Sequence, residues 1–188
     1  MTPGRLPRTL RLDPSDTLAF PRAAEPGEWA VTGSFLFLDE DPAGLSGKER
    51  VAFRSGFVGV RSLGFSTLVV VSEASASEVE EAVEQLAERI HGTLGAPSLE
   101  DARAAAREEV AVAASLCCPE VNSVLALHRT VEGGAIRERF RTLRPRPEAV
   151  AGADPLHAYA RVFEFVETDE EDARAERIDL AALAGKAP

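Results

Sequence analysis

Apolar positions along the chain follow two periods. Residues 6–12 alternate and end at Asp13-Pro14, which predicts a short first strand; 13–27, with Pro14, Pro21 and Pro26, reads as an irregular loop. Trp29, Val31, Phe35 and Phe37 keep a two-residue spacing around Gly33, a candidate bulge. Phe35-Leu36-Phe37-Leu38 is apolar on both faces, so 29–38 is predicted as an inner strand. Residues 65–71 are rich in β-branched side chains and predict another strand.

Helical spacing takes over in the middle of the chain. Val79, Val83, Leu86 and Ile90 predict a helix over about 76–91, with a capping box at Ser77 and Glu80 and Gly92 just past its end. Leu99, Ala102, Ala106, Val110 and Ala113 predict a second over about 98–116, behind Pro97. Ser46 and Glu49 have capping-box spacing for a short helix to about residue 55.

Extended segments then return. Residues 123–131 and 136–143 flank Gly133-Gly134, a strong signal for a two-residue hairpin turn. That turn sets Val131 opposite Ile136, Arg129 opposite Glu138, Leu127 opposite Phe140 and Leu125 opposite Thr142, a register with one apolar face and a charge-matched pair. Residues 157–167 read as a last strand, with Tyr159, Phe163 and Phe165 on one face. Helices grouped between runs of strands indicate an α+β fold, an antiparallel sheet with both long helices on one face. Residues 1–167 are expected to form one domain, and 168–188 an acidic, loosely ordered tail.

The chain has 188 residues and a formal net charge of −10. That balance opposes binding to nucleic acid and to anionic membranes. No apolar run approaches the roughly 20 residues of a membrane span, and the first dozen residues hold no secretory core. The two cysteines, Cys117 and Cys118, are adjacent, which suits a reducing compartment. A cytoplasmic protein follows as the expectation, and the Ala/Arg/Gly/Pro-rich composition suggests a bacterial one.

Candidate chemistry is sparse. Cys117 shares the apolar register of the second helix, and with no CxxC or HExxH spacing the cysteines are expected to be structural thiols; no metal or cofactor is implied. Gly56, Gly59 and Gly64 could present backbone amides to a small anion, but their spacing fits neither the dinucleotide fingerprint nor the P-loop. The less ordinary feature is on the hairpin. Arg137, Arg139 and Arg141 alternate onto one face, the register adds His128 and Thr130, and Arg144 and Arg146 continue the basic stretch. These arginines either pair with Glu164, Glu167 or the acidic tail, or form a recognition surface for an anionic partner.

Several stretches together resemble a small bacterial protein family of unknown function. They are Arg8-Thr9-Leu10-Arg11-Leu12-Asp13-Pro14-Ser15-Asp16, Gly47-Lys48-Glu49-Arg50 with Phe53-Arg54-Ser55-Gly56-Phe57, Gly64-Phe65-Ser66-Thr67-Leu68-Val69, Leu127-His128-Arg129, and residues 136–143. The resemblance spans about 6–167 and transfers no catalytic residue. It implies an accessory role in assembly or maturation of a multi-component enzyme, a molybdenum-containing one among the candidates. The expected function is therefore a non-enzymatic interaction protein with a protein partner. The alternative is a small-anion binding protein or enzyme with its site near 56–64 and His128.

Overall fold

The computed structural model describes residues 4–38, 40–145 and 163–167. Five strands form the main sheet: β1 (Gly4–Leu10), β5 (Leu68–Ala74), β6 (Val124–Glu132), β7 (Ala135–Pro145) and β8 (Phe163–Glu167). They are antiparallel throughout, in the order β1-β5-β6-β7-β8. The α+β class with an antiparallel sheet is thus as the element order implies.

The helices α3 (Ala76–Leu94) and α4 (Leu99–Ser115) pack on each other and against β1. Their buried stripes are Ala82, Val83, Leu86, Ala87 and Ile90 on α3, and Ala102, Ala106, Val110 and Ala113 on α4. The alanines let the two axes approach closely. The capping box of α3 is formed by Ser75 and Glu78, not Ser77 and Glu80. Its C-terminal residue with positive φ is Gly95, and Gly92 lies inside the helix.

A second, three-stranded sheet was not foreseen. It comprises β2 (Ala30–Val31), β3 (Phe57–Gly59) and β4 (Phe65–Ser66). Consecutive residues of this sheet serve different clusters. Val31 and Val58 join the helix residues, whereas Ala30 and Phe57 join Val69, Val71, Leu125 and Leu127 of the main sheet. Each face of the small sheet therefore buries apolar surface, one with the helix pair and one with the main sheet.

Several predicted elements are corrected. Residues 29–38 do not form one strand: after β2 the chain turns left-handed at Gly33 (φ 80°) into a single 3₁₀ turn, Ser34–Phe37. The space beside Gly33 is filled by Val58, whose Cγ2 would lie 2.1 Å from an added Cβ, so only glycine fits at this left-handed position. Phe37 instead packs edge-on against Phe53, in a cluster with Phe20 and Leu45. The loop at 13–27 contains a short helix, α1 (Ser15–Ala19). The strand predicted over 65–71 breaks at Thr67, where buried Asp16 accepts bonds from the Thr67 amide at 3.3 Å and hydroxyl at 2.6 Å. The short helix α2 (Gly47–Ser55) is present, but Ser46 makes no side-chain cap.

The hairpin register is as expected at every pair, and the turn uses Gly133 and Gly134 at φ 60° and 80°. Of the last predicted strand, Phe163–Glu167 is β8; residues 157–162, Arg146 and the tail 168–188 lie outside the described residues.

Candidate functional site

The β6–β7 register sorts the hairpin into two faces. Leu125, Leu127 and Arg129 of β6, opposite Thr142, Phe140 and Glu138 of β7, point to the protein interior. His128 and Thr130, opposite Arg139 and Arg137, lie on the other face with Arg141. His128, Arg137 and Arg139 are exposed and Arg141 is half-buried.

Arg139 is only loosely paired: its Nη2 lies 3.8 Å from Glu132 Oε1, with both side chains 54% exposed. Arg141 is engaged within the chain, and the register sets Glu167 of β8 opposite it, with Glu164 opposite Arg144. A further cation joins from α2, which packs against β6. The His128 imidazolium is disfavoured first by burial and then by the charges of Arg54, Arg141 and Arg139, so its pKa lies below the ordinary value. Arg54, whose charge acts on His128, was missed by sequence reasoning. It stands 74 positions before His128, and no local periodicity connects them.

Beneath this face lies a buried cation. Arg129 is 0% exposed and has the largest fully buried side chain among the described residues. Its Nε donates to Glu138 Oε1 at 2.7 Å, and its Nη1 to the carbonyls of Phe53 and Gly56, each at 3.0 Å. Its Nη2 donates to the carbonyl of Thr32. Phe53 and Gly56 sit at the C-terminal end of α2, where carbonyls lack helical partners and a cation is favoured. Burial depresses the guanidinium's pKa, and Glu138 and Glu109 counter this. The signal was in the sequence: Arg129 shares the inward parity of Leu125 and Leu127, so a cation occupied a core position.

Glu109 of α4 approaches the same cluster. Burial, then the Glu138 carboxylate, push its pKa up to about 7, against the pull of Arg129.

The glycine segment is placed elsewhere and is already occupied. The amides of Arg61 and Ser62 donate to Glu28 Oε2 at 3.0 Å each, and the Ser62 hydroxyl donates to Glu28 Oε1 at 2.5 Å. Glu28 is buried. Gly59 is required by this carboxylate, because an added Cβ would lie 2.2 Å from Glu28 Cδ; Gly64 is similarly closed by the Ala23 carbonyl. Gly56 meets the hairpin through its carbonyl on Arg129. The anion held by this turn is thus a side chain of the same protein.

Residues 4–162 match a family described as "Family of unknown function (DUF6505)". The chain belongs to this family. No curated protein and no solved structure matches it. Membership in DUF6505 agrees with the resemblance read from the sequence and carries no activity with it.

Two grooves flank Val131. One, of about 400 Å³, is lined by Phe37, Leu38, Ile136 and Glu138 among others, and the second, of about 330 Å³, by Arg50, Phe53, Arg54 and Arg129 among others. Neither includes His128, Arg137, Arg139 or Arg141. Cys117 is buried, and its thiol is pushed up to about 12, first by burial; Cys118 is exposed. Among the described residues no three His, Cys, Asp or Glu side chains are grouped as metal ligands. Among them, too, no helix is long and apolar enough to cross a membrane.

Proposed function

We propose that the protein acts by binding, as a non-enzymatic accessory protein that docks the outer face of its β6–β7 hairpin onto an acidic surface of a protein partner. The observation that carries this reading is the gathering of His128, Arg137, Arg139 and Arg141 on one hairpin face, with the charge of Arg54 acting on His128, in a chain of net charge −10. Arginine suits the task because its planar fork binds carboxylates through two hydrogen bonds. The filled interior under that face and the Glu28 carboxylate in the glycine turn favour a surface over a pocket. Service to the assembly or maturation of a multi-component enzyme, molybdenum-containing or otherwise, is supported by the family resemblance alone. A cytoplasmic location suits an unpaired exposed thiol at Cys118.

A second reading is a small-anion site centred on His128, supported by three arginines acting on one imidazole. Two measurements separate the two. Proteins that co-purify with the native chain should be lost from Arg54→Gln/Arg139→Gln at equal recovery of folded protein. Inorganic phosphate at millimolar concentration should leave the hairpin's NMR resonances in place on the docking reading, and saturable shifts at His128 would favour the small-anion reading.

A further inference from the structure

Of the two grooves that flank Val131, the one between α2 and the hairpin gathers cations. Arg50, Arg54 and Arg129 line it, and Pro42, Phe53 and Val131 give it apolar wall. Its volume of about 330 Å³ falls within the range of small-molecule sites. The groove across Val131 has the opposite character: Glu40 and Glu138 line it, and no lysine or arginine does so among the described residues.

The cations of the first groove are not consumed within the protein. Arg50 and Arg54 stand four positions apart on α2, on one face of the helix. The ion pairs among the described residues include neither of them. Arg50 Nε donates to the Leu45 carbonyl at 2.8 Å, which steadies that side chain. The carboxylate that lines the groove, Asp41, accepts from the Ala43 amide at 3.0 Å within its own loop. Arg129 is matched by Glu138 at 2.7 Å. Three guanidiniums thus meet two carboxylates, and one positive charge is left over in a chain of net charge −10.

We propose that this groove binds a small organic monocarboxylate, with its charge held by Arg50 and Arg54 and its apolar body laid against Phe53 and Val131. A single negative charge matches the surplus, and a guanidinium holds a carboxylate through two hydrogen bonds. Val131 is 45% exposed, and covering it removes apolar surface from water, which an inorganic anion cannot do. The proposal does not rest on the docking reading, because Arg137, Arg139 and Arg141 lie outside the groove. His128 lies outside it too, yet it feels the charge of Arg54 and so reports occupancy.

NMR titration of the full chain with hexanoate, without any protein partner, tests this. Hexanol lacks the charge, and inorganic phosphate lacks the apolar body. Hexanoate should give saturable shifts at Phe53, Thr130 and Val131 with a Kd at or below about 1 millimolar, and should raise the titration midpoint of His128. Hexanol and phosphate should each bind at least tenfold more weakly. Hexanoate should lose as much affinity for Arg50→Gln/Arg54→Gln, with circular dichroism verifying the fold. Hexanol or phosphate binding as well as hexanoate would overturn the proposal, as would undiminished binding to the folded double variant. So would the absence of saturable shifts with both hexanoate and benzoate, even where a protein partner shifts the same residues. The docking reading is judged separately, from Arg139, which is not part of the groove.

Discussion

Arg129 and Glu138 face each other across the β6–β7 hairpin, and Arg129 Nε donates to Glu138 Oε1 at 2.7 Å. The same guanidinium donates to the carbonyls of Thr32, Phe53 and Gly56. One buried cation therefore ties the hairpin to the end of α2 and to the segment after β2. It fixes the strand whose other face carries His128. The proposed docking face and the buried hub are thus opposite faces of one hairpin.

Removing that hub should be costly. Arg129→Met leaves three carbonyls and a carboxylate without their donor, and breaking a buried pair in this way costs about 3–5 kcal/mol. Arg129→Lys should recover little of it, because one ammonium cannot span acceptors arranged around a planar fork. Denaturant unfolding of both variants checks this. A loss of under 1 kcal/mol in Arg129→Met would contradict the hub.

Glu109 gives the protein a pH dependence of definite sign. Its folded pKa of about 7 lies above the ordinary 4.5. Between those values the folded state keeps a proton that the unfolded state has released, so stability falls as pH rises through this window and levels off above it. Glu109→Gln, which mimics the protonated form, should unfold about 2–4 °C higher than wild type at pH 8 for each kcal/mol relieved, and near wild type at pH 4.5. Equal midpoint differences at both pH values would refute the assignment.

His128 reports on the outer face. Its imidazolium is disfavoured by burial and by Arg54, Arg141 and Arg139. Arg54→Gln should therefore raise the midpoint of its NMR titration, and an acidic partner seated on the arginines should raise it further. No change in Arg54→Gln would place Arg54 outside the cluster.

Much of this fold could be read from the sequence where local rules govern it. Gly133-Gly134 sets the hairpin register, and the apolar stripes of α3 and α4 set their buried faces. The failures have non-local causes. Residues 34–37 carry a strand-like apolar run, yet the chain turns left-handed at Gly33 and Phe37 packs on the distant Phe53. Glu28 and Asp16 look like loop acids; only their distant partners, Ser62 and Thr67, make them buried anchors. The arginine row was visible as an alternation, whereas Arg54 joins it only through the packing of α2 on β6.

Arg139→Glu tests most directly whether the outer hairpin face recognises an acidic partner, as proposed. Arg139 is half exposed and paired at 3.8 Å, so its reversal should shift the thermal midpoint by no more than about 2 °C, as exposed charges contribute little to stability. The affinity of the purified variant for the partner recovered with wild type should fall at least tenfold and become less sensitive to salt. Unchanged affinity at equal folded protein, or a loss of binding that only tracks a lowered midpoint, would contradict the account.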